Sequence, residues 1–167
     1  MSLTNEIIKN KLIEKFGDVL TEWSESSGML TFTAPRDLNL KVLNFLFDEE
    51  DLAFRFLTDI TAVNYPDRKD EELAVVYHLH NLVENIRVRM KIFAPVAQPE
   101  VYTATGIFSG ANWMERETYD FFGVQFAGHP DLRRILNVDE MDYFPLRKEF
   151  PLEDQTRVDK DDEMFGR

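Results

Sequence analysis

Between residues 5 and 16 the apolar side chains Ile8, Leu12 and Phe16 recur at every fourth position, and Ile7 and Ile13 widen the stripe. This spacing predicts an amphipathic helix, with Thr4 placed to cap its first turn and Gly17 to end it. A short strand pair follows, broken at Ser26–Gly28. Pro35-Arg36-Asp37 then opens a second apolar-striped helix near 38–47, ended by the acidic run Asp48–Asp51, which reads as a solvated loop.

The pattern then switches from a helical period to a period of two. Phe54, Phe56, Ile60 and Ala62 fall on one face of a first strand. Leu73, Val75, Tyr77 and Leu79 do so on a second, and Ile86, Val88, Met90 and Ile92 on a third. The opposite faces carry Arg55, Asp59 and Thr61, then His78 and His80, then Arg87, Arg89 and Lys91. Alternation of this kind indicates an antiparallel meander with one face on the core and one largely wet. Pro66-Asp67 and Glu84-Asn85 supply the turns. With the two early helices covering the apolar face, the expected fold is α+β: a two-layer antiparallel sheet covered by helices on one face.

Pro95 and Pro99 interrupt this regularity. A third helix is expected at about 113–122, where Asn112 and Glu115 have the spacing of a capping box and Gly123 stands at the terminating position. Beyond Gly123 periodicity fades into an irregular C-terminal arm, and residues 153–167 form a charged tail expected to order only against a partner. One domain, 1–152, accounts for the rest, since a chain of 167 residues can bury roughly 70% of its unfolded surface without further support.

Composition removes several classes of function. The 44% hydrophobic content, with 14 Phe, excludes wholesale disorder. No apolar run approaches the ~20 residues that span a bilayer. The N-terminal MSLTNEIIKNKLIEKF lacks the pattern of a leader or transit peptide, so a cytoplasmic start is expected. A net charge of −12 disfavours nucleic acid and anionic membrane surfaces. With no Cys, this chain can offer neither disulfides nor thiolate ligands to zinc or iron–sulfur clusters.

The remaining chemical candidates are few. His78 and His80 share a strand face at a spacing used by metal ligands, but no third ligand is evident and a solvated face explains them more simply. Glu115, Glu117 and Asp120 place carboxylates on the third helix, and Glu117 and Asp120, three apart, could form an acid/base pair. Asp120 stands near a negative helix end, so it calls for a cationic partner, either Arg116 or a downstream arginine. His129 is held between Gly128 and Pro130. It could serve a free-standing enzyme as a base, but no nucleophile elbow, phosphate loop or HExxH accompanies it. A turn-locking hydrogen bond or a protein contact suits it better. Arg133, Arg134, Arg147 and Lys148, close to Tyr143 and Phe144, have the composition of a docking surface.

The runs ERETYDFFGVQFAGHPDLRRIL (115–136) and PLRKEFPL (145–152) resemble the signature of the NuoC-type, 30 kDa subunit family of proton-pumping NADH:quinone oxidoreductase, respiratory complex I. The resemblance rests on Glu115, Arg116, Glu117, Asp120, Phe122, Gly123, Phe126, Gly128, His129, Pro130, Leu132, Arg134, Pro145, Leu146, Arg147, Lys148 and Pro151. It covers about residues 113–152. The intervening NVDEMDYF departs from the family's usual form, which carries a Pro-Asp step, a tryptophan and a second Gly-His before the PLR.

Membership would imply a peripheral-arm subunit with no redox centre of its own, packed against the D-type and B-type subunits of the complex around the quinone site. NADH, FMN, iron–sulfur clusters and quinone would then be bound by other subunits. The complex would place the chain peripherally on the cytoplasmic face of a bacterial inner membrane. Glu115, Arg116, Glu117, Asp120, His129, Arg133, Arg134, Arg147 and Lys148 become the expected docking residues. A related membrane-bound hydrogenase or other donor:quinone complex could use an equivalent subunit, and a small enzyme built on His129 is the remaining alternative.

Overall fold

The computed structural model describes residues 3–150. The 153–167 tail lies outside them. The first helix, α1 (Asn5–Phe16), begins at Thr4, whose hydroxyl accepts the Ile7 N–H, and ends at Gly17 with φ 67°. A hairpin of β1 (Thr21–Ser26) and β2 (Met29–Thr33) leads through a 3-10 turn at 36–38 into α2 (Asn39–Asp48). The meander follows as β3 (Phe56–Asn64), β4 (Leu73–Asn81) and β5 (Ile86–Ala94). Ile8, Leu12, Val42, Leu43 and Leu46 from the two helices close over Leu30, Phe32, Val75, Tyr77, Val88, Met90 and Ile92 of the sheet.

The two-layer α+β arrangement is the one the pattern predicts, but the sheet is mixed rather than wholly antiparallel. Its strand order is β1-β2-β5-β4-β3, and β2 lies parallel to β5. The helix α2 between β2 and the meander supplies the crossover that a parallel pairing requires.

Two further departures have local causes. Uninterrupted alternation would place Phe56 in the core, yet it is exposed, while Leu57 is buried. A register shift between Leu57 and Asp59 in the β3–β4 ladder inserts one residue, so the apolar face changes parity there. The second face of the sheet is also drier than expected. Interior strand β4 buries Ala74, Val76 and His80 as well as its core side. One reason is that the 65–72 loop folds back across one end of that face, where Arg68 lies 3.9 Å from the Phe93 ring centroid and forms an ion pair with Glu22 at 2.7 Å.

Beyond β5, the short strands β6 (Glu100–Tyr102) and β7 (Gln125–Ala127) pair in parallel and flank α3 (Ala111–Phe122). The Thr118 hydroxyl stands between the Met114 carbonyl of its own helix at 2.8 Å and the Ile60 carbonyl of edge strand β3 at 3.2 Å, which places α3 against that strand. The expected capping box does not form. The N-cap is Gly110, Asn112 lies within the helix, and Glu115 turns inward instead.

The bulge makes a simple test. Leu57→Ala should lower stability by about 2–4 kcal/mol, as for a buried leucine, whereas Phe56→Ala should stay within about 1 kcal/mol. Urea denaturation of the two variants distinguishes this register from the uninterrupted alternation, which would reverse the order.

Candidate functional site

The signature residues converge where α3 ends. Asp120, with no solvent exposure, sits in the last turn. Its Oδ1 accepts from Arg134 Nη1 at 2.8 Å and from the Asn137 side-chain amide at 3.0 Å. Its Oδ2 accepts the backbone N–H groups of Ile135, Leu136 and Asn137 at 3.1, 2.8 and 2.9 Å. Burial alone would raise its pKa. The N–H groups of Asn137 and Leu136, with Arg134 and the Asn137 amide, outweigh it and hold the carboxyl well below the usual carboxylate range.

Arg134 does more than neutralise this charge. Its Nη1 also donates to the Asp120 carbonyl at 2.9 Å, and its Nη2 donates to the Met141 and Tyr143 carbonyls at 2.8 and 3.0 Å. Arg147 acts in parallel, its Nε donating to the Phe122 carbonyl at 2.7 Å while the Leu146 N–H reaches the Phe121 carbonyl. These donors satisfy helix-end carbonyls that have no intrahelical partner. Both guanidinium groups lie against the Phe144 ring, 5.1 and 4.6 Å from its centroid.

That close approach requires glycine at 123. Its φ is 76°, and a Cβ there would stand 2.5 Å from Phe144 and 2.6 Å from the Arg147 guanidinium. Arg116 completes the framework, its Nε donating to the Arg133 carbonyl at 3.3 Å while its guanidinium rests 4.9 Å from the Trp113 ring centroid.

A second buried carboxylate occupies the first half of the same helix. Glu115 accepts the Ala104 N–H at 2.6 Å and the Thr103 hydroxyl. Among the described residues no lysine or arginine bonds it, and burial pushes its pKa up to about 7 against these two donors. The carboxylate faces Tyr77, whose hydroxyl is raised chiefly by burial and then by Glu115. His129, with its side chain only 1% exposed, lies 4.0 Å from Glu115. Its Nδ1 accepts the Asp131 N–H at 3.0 Å, and Nε2 stands 3.1 Å from the Asn112 carbonyl. A single tautomer, protonated on Nε2, satisfies both bonds.

The predicted residues therefore divide. Glu115, Arg116, Asp120, His129, Arg134 and Arg147 are turned inward, each committed to an internal bond, so Arg134 and Arg147 are not the exposed charges their composition suggested. His129 locks the Gly-His-Pro turn, as its setting suggested, and with both nitrogens engaged it is not poised as a free base. Glu117, Arg133 and Lys148 remain exposed, Arg133 pairing only with Asp131 among the described residues. His78 accepts from Arg89, and His80 bonds Asn85. Among the described residues no group of three His, Asp or Glu is placed to hold a metal.

Sequence reasoning anticipated a cation for Asp120 and set Phe144 beside the arginines as an interface anchor, but missed Asn137 and Thr103, which carry no spacing signal. It also missed an apolar surface: Trp113, Leu136, Val138 and Leu146 are each more than half exposed.

Such an arrangement defines a class of protein, a small α+β domain carrying an irregular arm that is fixed by internal polar bonds and presents apolar side chains outward. Residues 32–156 match the family described as respiratory-chain NADH dehydrogenase, 30 kDa subunit, and the chain belongs to that family. Among similar sequences, the C-type subunit of the NADH-quinone oxidoreductase of Methylorubrum extorquens is 44% identical over 87% of this chain and 67% of its own length. Its counterpart from Geobacter metallireducens is 40% identical over 92% and 93% of the two chains. A solved trypsin-resistant fragment of Nqo5 superposes with a TM-score of 0.64 at 30% identity, covering 75% of this chain and 98% of the fragment. A chain of an archaeal membrane-bound sulfane sulfur reductase superposes with a TM-score of 0.74 at 28% identity over 88% and 85%.

The two buried carboxylates can be tested separately. Removing one partner of a buried ion pair strands the other, so Asp120→Asn and Arg134→Ala should each cost about 3 kcal/mol or more. The double variant should cost clearly less than the sum, and a double-mutant cycle by urea denaturation measures the coupling. Strict additivity would mean that the pair does not act as one unit.

For Glu115 the folded pKa lies above the ordinary 4.5, so its stabilising effect is complete below that value and is lost as pH rises through about 7. Glu115→Gln mimics the protonated carboxyl. The melting temperature of the variant relative to the parent should therefore climb by several degrees between about pH 4.5 and pH 8. Thermal melts across that window check the sign.

Proposed function

We propose that this chain is a non-redox peripheral-arm subunit of a proton-translocating NADH:quinone oxidoreductase, whose C-terminal arm docks beside the quinone site against the D-type and B-type subunits of the complex. The observation that carries the docking reading is the exposed apolar set Leu136, Val138 and Leu146 on an arm already fixed from inside, with Trp113 exposed at the start of α3. Apolar side chains held out to solvent on a fixed segment are the raw material of an interaction surface, and Tyr143 and Arg133 add residue types enriched there.

The absence of Cys supports assigning the iron–sulfur clusters to other subunits, and the family reading extends that assignment to FMN and the quinone. Relatives named as C-type subunits of NADH-quinone oxidoreductase favour NADH as the electron donor over the donor of the sulfane sulfur reductase. Among the described residues no helix is long and apolar enough to cross a membrane, which suits attachment through partner subunits on the cytoplasmic face of a bacterial inner membrane.

Leu136→Ser combined with Leu146→Ser tests the reading. Both side chains are exposed, so each change should move stability by no more than about 0.5 kcal/mol. Recovery of the variant in the purified membrane complex should fall severalfold, because anchors at an interface core typically cost about 2 kcal/mol when truncated. Normal melting with full incorporation would remove the arm from the interface.

A further inference from the structure

The sheet face turned away from α1 and α2 holds a charge pattern that the arm does not use. Residues paired across strands point to the same side. The register therefore sets Phe56, His80 and Arg87 in one row, Asp59, His78, Arg89 and Thr31 in the next, and Thr61, Val76, Lys91 and Thr33 in a third. Strand β5 thus lines up Arg87, Arg89 and Lys91 at alternate positions, a stripe about 13 Å long at ~3.3 Å per residue.

These three cations stand in a chain of net charge −12, and among the described residues none lies within 4.0 Å of a carboxylate oxygen. Arg89 Nε instead donates to His78 Nε2 at 2.9 Å, using the imidazole as a neutral acceptor. Asp59 sits on the far side of the same ring, 3.8 Å from Nδ1. Glu22, near the end of this face, is taken by Arg68 and the Thr33 hydroxyl, and Glu71 of the 65–72 loop pairs with the same Arg68. Phe56 adds an exposed aromatic ring beside the Arg87 row.

Neighbouring cations ~7 Å apart repel within the Debye length, and no described carboxylate pairs with them. The net charge of the whole molecule disfavours long polyanions such as nucleic acid or an anionic bilayer. A short acidic peptide meets only the stripe, and membership of a multisubunit family supplies partner chains. We propose that this face is a second interaction surface, one that receives an acidic, extended segment of a partner protein with carboxylates at alternate positions, facing Arg87, Arg89 and Lys91.

The test uses the full chain at about 50 mM salt, where such contacts are least screened. The probe is a fluorescent peptide of alternating serine and glutamate, and a serine–glutamine peptide, single-stranded DNA and phosphatidylglycerol vesicles serve as comparisons. We expect saturable binding of the glutamate peptide alone, weakened about tenfold in Arg87→Gln/Arg89→Gln/Lys91→Gln, as for three exposed pairs of modest strength. Asp59→Asn, which removes an acid from the row, should tighten binding. If the triple variant melts abnormally, Arg87→Gln alone, on an exposed side chain, should still weaken binding measurably. Binding unaffected by these changes, no binding by the parent chain, or equal binding of DNA or vesicles through the same residues would overturn the proposal.

Discussion

The C-terminal arm depends on one carboxylate. Asp120 lies fully buried at the negative end of α3, a position that charge and desolvation both oppose. Five hydrogen bonds offset that cost, and three of them come from the successive N–H groups of Ile135, Leu136 and Asn137. These amides belong to no helix or strand. Their common acceptor gives the segment a defined path where no backbone ladder could, since buried amides must find a partner.

The two buried acids of α3 show how environment separates identical chemistry. Asp120 has a guanidinium and several backbone donors, and it is held ionised. Glu115 has one hydroxyl and one N–H, so desolvation prevails and its pKa rises to about 7. Neither carboxylate is exposed, but Glu115 is the more deeply set of the two, so depth, donor count and charge all act in the same direction. Arginine then acts here as a backbone substitute: Arg116, Arg134 and Arg147 each donate to main-chain carbonyls. A lysine, with a point charge in place of a planar fork, could not span these acceptors in the same way.

Local periodicity made the helices, the hairpin and most of the meander readable, because Ile8 and Leu12 or Val88 and Met90 report their faces through near neighbours. What escaped depends on distant partners. The parallel β2–β5 pairing joins strands separated by most of the meander, and the bulge near Asp59 reverses facing without changing residue character. Strands β6 and β7, three residues each, are too short to show alternation. At the site, an acid at a helix end correctly called for an arginine. Charge suggested solvent for Arg134 and Arg147, yet both are held inward through contacts 14 and 25 residues away. The 3-residue spacing of Asn112 and Glu115 fitted a cap, but the tighter demand on Glu115 came from Thr103 and Ala104.

The resulting arm inverts the usual distribution. Its charges serve inside as donors and acceptors, while Leu136, Val138 and Leu146 face outward because an irregular segment of this length has no core in which to bury them. Covering each would contribute about 1.5–3 kcal/mol, a gain available only to a partner. Association ordinarily loses part of such a gain to ordering flexible loops. An arm already fixed by Asp120, Arg134 and Arg147 has met that cost within its own fold, so the rigid polar interior leaves a small apolar exterior whose covering would lose little to ordering.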